Sequence, residues 1–177
     1  MNIIKEKLSM VVALVLSGII TGMAYQSGYQ TGEIMEGYNP LTPIGLSVGA
    51  YFGIITGLFL WKEKKLSRIF LWTAISAVTW VVAYFIAFFG ILLIGTKTPI
   101  GFIPAGGIGA LVLALSLRYL FKTPVNVKLV GVLGAITGYI AFYISDIPAP
   151  LNAATYVFIL WQVCVGLALK AHTENKK

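Results

Sequence analysis

Six apolar runs, each close to the length of a bilayer-crossing helix, occupy almost the whole chain. They extend from Leu8 to about Gly28, Ile44 to Trp61, Ile69 to Gly95, Ile100 to Phe121, Val127 to Ser145 and Leu151 to Leu169. A helix needs about 20 mostly apolar residues to cross roughly 30 Å of hydrocarbon. The runs are continuously apolar and lack the alternation of a lipid-facing barrel strand. The expected fold class is therefore all-α, a polytopic bundle of six transmembrane helices forming a single domain over residues 1–177. With 58% hydrophobic and only 11% charged residues, the chain falls far from the roughly 25% charge of soluble domains. The apolar content equally excludes a disordered chain.

The basic residues set an orientation. With the N-terminus cytoplasmic, Lys5, Lys7, Lys62, Lys64, Lys65, Arg68, Arg118, Lys122, Lys128, Lys170, Lys176 and Lys177 all face the cytoplasm. Lys97 faces outward with Glu33, Glu36 and Asp146. That asymmetry predicts both termini inside a plasma or inner membrane. The net charge of +7 then reports contact with anionic lipid headgroups on the cytoplasmic side. Nucleic acid is not an expected partner, because the charges sit in short loops without a folded module. The first apolar run follows Lys5 and Lys7 as a signal peptide would, but it is too long for a signal core and is read as a retained span.

Glycine spacing is the strongest local pattern. Gly18 and Gly22, then Gly45, Gly49, Gly53 and Gly57, then Gly134 and Gly138 each recur every four residues along one helical face. Such faces let helix backbones approach closely in lipid, where no hydrophobic drive separates helix from helix. They predict packing between helices of this chain. The competing reading is a self-association face for a homo-oligomer, a partner membrane subunit or a channel wall. Internal similarity is also present. Pro43-Ile44-Gly45 matches Pro99-Ile100-Gly101, Ser17 and Tyr25 align with Ser76 and Tyr84, and Gly134-Ala-Ile-Thr-Gly138 resembles Gly18-Ile-Ile-Thr-Gly22. Three helical-hairpin repeats in parallel would explain it, and shared membrane composition would as well. Helix 4 opens with Pro99, Gly101, Pro104, Gly106, Gly107 and Gly109. Its outer half is expected to start late or to border a cavity.

Chemistry-bearing residues are few. One cysteine, Cys164, and one histidine, His172, provide neither a disulfide nor a Cys/His metal site. No nucleophile-base-acid set is recognisable, so a non-enzymatic protein without cofactor or metal is expected. Trp61 and Trp72 read as interfacial belt residues. Deeper in the spans, Ser76, Trp80 and Tyr84 recur at four-residue spacing on helix 3, with Thr79 adjacent. On helix 6, Asn152, Thr155, Tyr156 and Gln162 lie roughly along one stripe beside Trp161. An amide in hydrocarbon needs a partner, so Gln162 should face protein, water or ligand. If the two stripes face each other they form an aromatic-walled pocket, and the loop carrying Tyr29, Glu33, Glu36 and Tyr38 could cap it. Otherwise Gln162 bonds a neighbouring helix and the tryptophans merely pack.

No motif assigns the chain to a family. In size and plan, with Ala13-xxx-Ser17, Gly18-xxx-Gly22 and the Tyr29–Pro43 loop, it resembles the substrate-binding membrane component of energy-coupling-factor vitamin transporters. The resemblance implies a ligand-covering first outer loop and a partner-facing set of small residues on helix 1. The expected function is a transport or substrate-binding membrane component for a small uncharged or weakly polar solute. The alternative is an accessory subunit or an oligomeric channel built on the glycine faces. Cysteines placed at residues 65 and 177 of a Cys164-free protein should label from the cytoplasm, and those at 31 and 97 from outside. Labelling of 65 and 97 from one side defeats the six-span plan.

Overall fold

The computed structural model describes residues 3–30, 43–61, 65–94, 99–144 and 153–171. These form six helices: α1 (Ile3–Gln30), α2 (Pro43–Leu60), α3 (Leu66–Ile94), α4 (Phe102–Tyr119), α5 (Val127–Ile144) and α6 (Ala153–Ala171). Four stretches, Lys5–Met23, Leu66–Gly90, Phe102–Tyr119 and Val127–Ile144, are long and apolar enough to cross a membrane. Gly45–Leu60 and Thr155–Lys170 are apolar but shorter. The protein is all-helical, and its composition fits a membrane protein.

Helix boundaries follow local chemistry. Pro99 opens a turn in which the Phe102 and Ile103 amides donate to its carbonyl at 3.0 and 3.1 Å, so α4 starts late. Pro104 falls in its first turn, where a missing N–H breaks no ladder bond. After α4, Lys122 takes a left-handed conformation with φ of 52°, and the Thr123 amide donates to the Leu117 carbonyl at 2.9 Å. Asn126 then caps α5 by accepting the Leu129 amide at 3.0 Å. α1 begins before its apolar run because Glu6, in its first turn, reaches Lys170 at the far end of α6.

Successive helices are neighbours, and α6 closes the ring against α1. The α2–α3, α4–α5 and α6–α1 pairs are the closer ones and alternate with looser pairs around the ring. Each close pair is seamed by glycine. A Cβ on Gly18 would lie 2.7 Å from the Ile159 Cα, and one on Gly22 would strike Thr155. On α2, a Cβ at Gly49 would strike the Ser76 carbonyl, and one at Gly53 would lie 2.7 Å from the Thr73 Cα. Gly106 of α4 meets the carbonyl of Gly134, and Gly138 of α5 meets that of Phe102. Gly45 is buried as well. Gly18, Gly22 and Ser17 are thus enclosed within this chain, and Ala13 is half-buried.

The bundle is apolar outside and partly polar inside. Leu8, Val12, Leu16, Ile20 and Met23 line the exposed side of α1, whereas Ser17, Thr21, Thr56, Ser76, Thr137 and Gln162 are buried. All described basic residues lie at the end where α2 meets α3 and α4 meets α5, called here the basic end. That end is solidly filled. Trp61, Trp72 and Phe121 pack together, with Trp61 and Trp72 edge to face at 6.1 Å and Trp61 and Phe121 at 4.9 Å. The Trp72 indole donates to Thr56 at 2.8 Å. Trp61 and Trp72 are buried, contrary to the belt role expected of them, because both indoles turn inward on Phe121. Lys170 is also buried: it donates to Glu6 and to the Phe59 carbonyl, tying α6 to α1 and to the last turn of α2.

The seams predict a graded response. Gly49→Leu and Gly53→Leu should each lower stability in detergent by about 1–3 kcal/mol through overpacking. Gly57→Ala should cost less than either, since the nearest atoms to its Cβ would be side-chain atoms of Ile69 and Trp72 at 3.3 Å and no backbone atom lies closer than the Ile69 Cα at 3.7 Å. Thermal melts of the three variants check this, and unchanged melts for both leucine variants would overturn the seam.

Candidate functional site: a cavity between α3 and α6

Among the described residues, no Cα of α3 lies within 8 Å of a Cα of α6. The interval holds a cavity of about 420 Å³ in the half of the bundle away from the basic end. α3 contributes Ser76, Thr79, Trp80 and Tyr84, and α6 contributes Phe158, Trp161 and Gln162. The remaining walls are Val48 and Phe52 of α2, Phe102 and Gly109 of α4, and Thr137 and Ala141 of α5. The volume exists because small residues face inward between the aromatic rings: Ala83 and Ala87, Ala105 and Gly106, Gly138 and Ala141. The late-starting first half of α4 is one wall, so the helix-initiation and cavity readings of that segment describe the same residues.

Aromatic side chains span the interval. Trp80 meets Phe158 edge to face with ring centroids 5.1 Å apart, and Phe52 meets Trp161 at 5.3 Å. Polar groups divide into two kinds. Thr137 is satisfied, donating to the carbonyls of Leu133 and Gly134 at 2.9 Å. The Ser76 hydroxyl, the Trp80 indole nitrogen and the Gln162 amide oxygen are buried with no hydrogen-bond partner. Ser17, Thr21 and Trp61 carry similar orphaned atoms on residues that do not line the cavity. Each orphaned group costs about 1–3 kcal/mol relative to a paired one. The lining carries no carboxylate and no cation, and Tyr84 is its one ionisable side chain.

Not every expected site residue is here. Thr155 faces Gly22 across the α1–α6 seam, because α6 at that level meets α1. Asn152 lies outside the described residues, as do Glu33, Glu36 and Tyr38 of the expected lid; Tyr29 is in the last helical turn of α1. The α2, α4 and α5 walls were not anticipated beyond the irregular start of helix 4. Their residues are small or ordinary aromatics, which carry no chemical signal one at a time. No group of His, Cys, Asp or Glu able to hold a metal occurs among the described residues. No protein-family model, curated protein or solved structure matches the chain.

A cavity this size should accept a larger side chain. Ala141→Leu adds about three methylene-equivalents of apolar surface into existing space, so thermal stability should hold or rise. A drop of more than about 1 kcal/mol, read from melts, would mean that no free volume adjoins Ala141.

Proposed function

We propose that the protein spans the membrane six times with both termini cytoplasmic and holds a small uncharged or weakly polar solute in the α3–α6 cavity. It would act as a non-enzymatic transport or substrate-binding component of a plasma or inner membrane. The observation that carries this is one aromatic-walled space lined by three residues, Ser76, Trp80 and Gln162, each with a buried polar atom that has no hydrogen-bond partner. About 420 Å³ lies within the 300–1,000 Å³ range of small-molecule sites. Water is a poor permanent filling. Its few polar groups can anchor a few molecules at about 30 Å³ each, and most of the remaining wall is apolar.

The segregation of Lys65, Arg68, Arg118, Lys122 and Lys128 to one end supports the orientation and a contact with anionic headgroups there. The alternation of close and loose pairs around the ring supports three hairpin repeats. A partner subunit or second copy would meet the exterior, since the glycine faces are occupied within the chain. For that reason the accessory-subunit and channel-wall readings are less favoured.

The test compares wild type and Gln162→Leu in detergent, with and without a library of uncharged metabolites. A ligand at about 100 times its Kd should stabilise the wild type by about 2.7 kcal/mol. Gln162→Leu should fold, since leucine suits a membrane helix, and should bind several-fold more weakly or worse. A wild type that no compound stabilises, with a mutant that loses a co-purifying partner, would sink the solute reading in favour of assembly.

A further inference from the structure

We infer that the cavity selects neutral molecules that present a hydrogen-bond acceptor to Trp80 and a donor to Gln162 on a flat apolar body. The inference rests on the cavity being a solute site and specifies which solutes it takes. An indole nitrogen can only donate, and an amide oxygen can only accept. Both atoms are buried and unpartnered, one on each of two helices that no close backbone contact joins. The Ser76 hydroxyl does either and does not discriminate. A carboxamide, lactam or hydroxyl satisfies both orphans. A ketone, ester or nitrile satisfies only Trp80, and a hydrocarbon neither. Ions are excluded on energetic grounds, because the lining has no counter-charge to replace lost hydration. The flat body follows from the ring pairs Trp80–Phe158 and Phe52–Trp161, which leave π-faces and edges as the walls.

Four probes of one shape separate these terms: 2-naphthamide, 2-acetonaphthone, 2-ethylnaphthalene and 2-naphthoate. Binding to the purified full chain is measured by calorimetry, with protein-free detergent micelles as the control for partition into detergent. The amide should bind best, then the ketone, then the hydrocarbon, with about a two- to tenfold step for each hydrogen bond lost. Naphthoate should show nothing above the control at about a hundredfold higher concentration. Trp80→Phe keeps a ring and removes the donor, so the ketone should fall to the hydrocarbon's affinity. Gln162→Leu should bring the amide down to the ketone's. Should Gln162→Leu fail to fold, the Trp80→Phe comparison still decides the acceptor half and the wild-type order the donor half. Equal affinity of the three neutral probes, binding of naphthoate, equal losses for all probes in the variants, or no binding above the control each overturns the selection. The solute site itself falls only if the metabolite screen is also blank.

Discussion

A single methyl group added at Gly49 would strike the carbonyl oxygen of Ser76, one at Gly106 that of Gly134, and one at Gly138 that of Phe102. Apolar side chains gain nothing by leaving lipid for one another, so helices in a bilayer are held by the closeness of their contact. Glycine permits the closest contact. Three such seams draw six helices into three tight pairs, and the ring they form is consequently uneven. The seam glycines Gly49, Gly106 and Gly138 also border the cavity, so two of the seams form its walls. Across the ring, where α3 faces α6 with no seam, space is left.

The two ends of the bundle use that geometry differently, and two tryptophans on α3 make the contrast. Trp72 lies against Trp61 and Phe121 and donates to Thr56, whose hydroxyl in turn donates to the Phe52 carbonyl at 2.7 Å. Two helical turns later, Trp80 has an aromatic neighbour in Phe158 but nothing for its indole nitrogen. The facing residues explain the difference. Opposite Trp72, α2 supplies a threonine and the turn after α4 a phenylalanine. Around Trp80, the adjoining walls supply alanines and glycines.

Much of this was legible in the sequence, for reasons that differ by feature. The helices were legible because uninterrupted apolar runs of that length have few other fates. The α3 side of the cavity was legible because Ser76, Trp80 and Tyr84 repeat with the helical period, and mid-span polar atoms need an interior. Thr155 was misplaced because it shares its stripe with Gln162, and periodicity does not say that one stripe meets α1 at one height and a cavity at another. Trp61 and Trp72 were misplaced because a residue near the end of an apolar run looks the same whether it turns to lipid or to the core. The Glu6–Lys170 pair joins the two ends of the chain and leaves no local pattern at all.

That pair bears on how the cavity is to be read. α6 is the innermost helix, with no exposed residue between Thr155 and Lys170. At one end Lys170 fixes it to Glu6 and to the Phe59 carbonyl; at the other Thr155 fits against Gly22. Gln162 sits between these anchors, about 12 Å along the helix from Lys170. Beside it Trp161 rests on Phe52. A polar side chain on a loose element can shift until it finds a partner. On a helix pinned at both ends the backbone cannot shift to bring Gln162 a partner, so only rotation of its own side chain or a group entering the cavity can satisfy the amide oxygen.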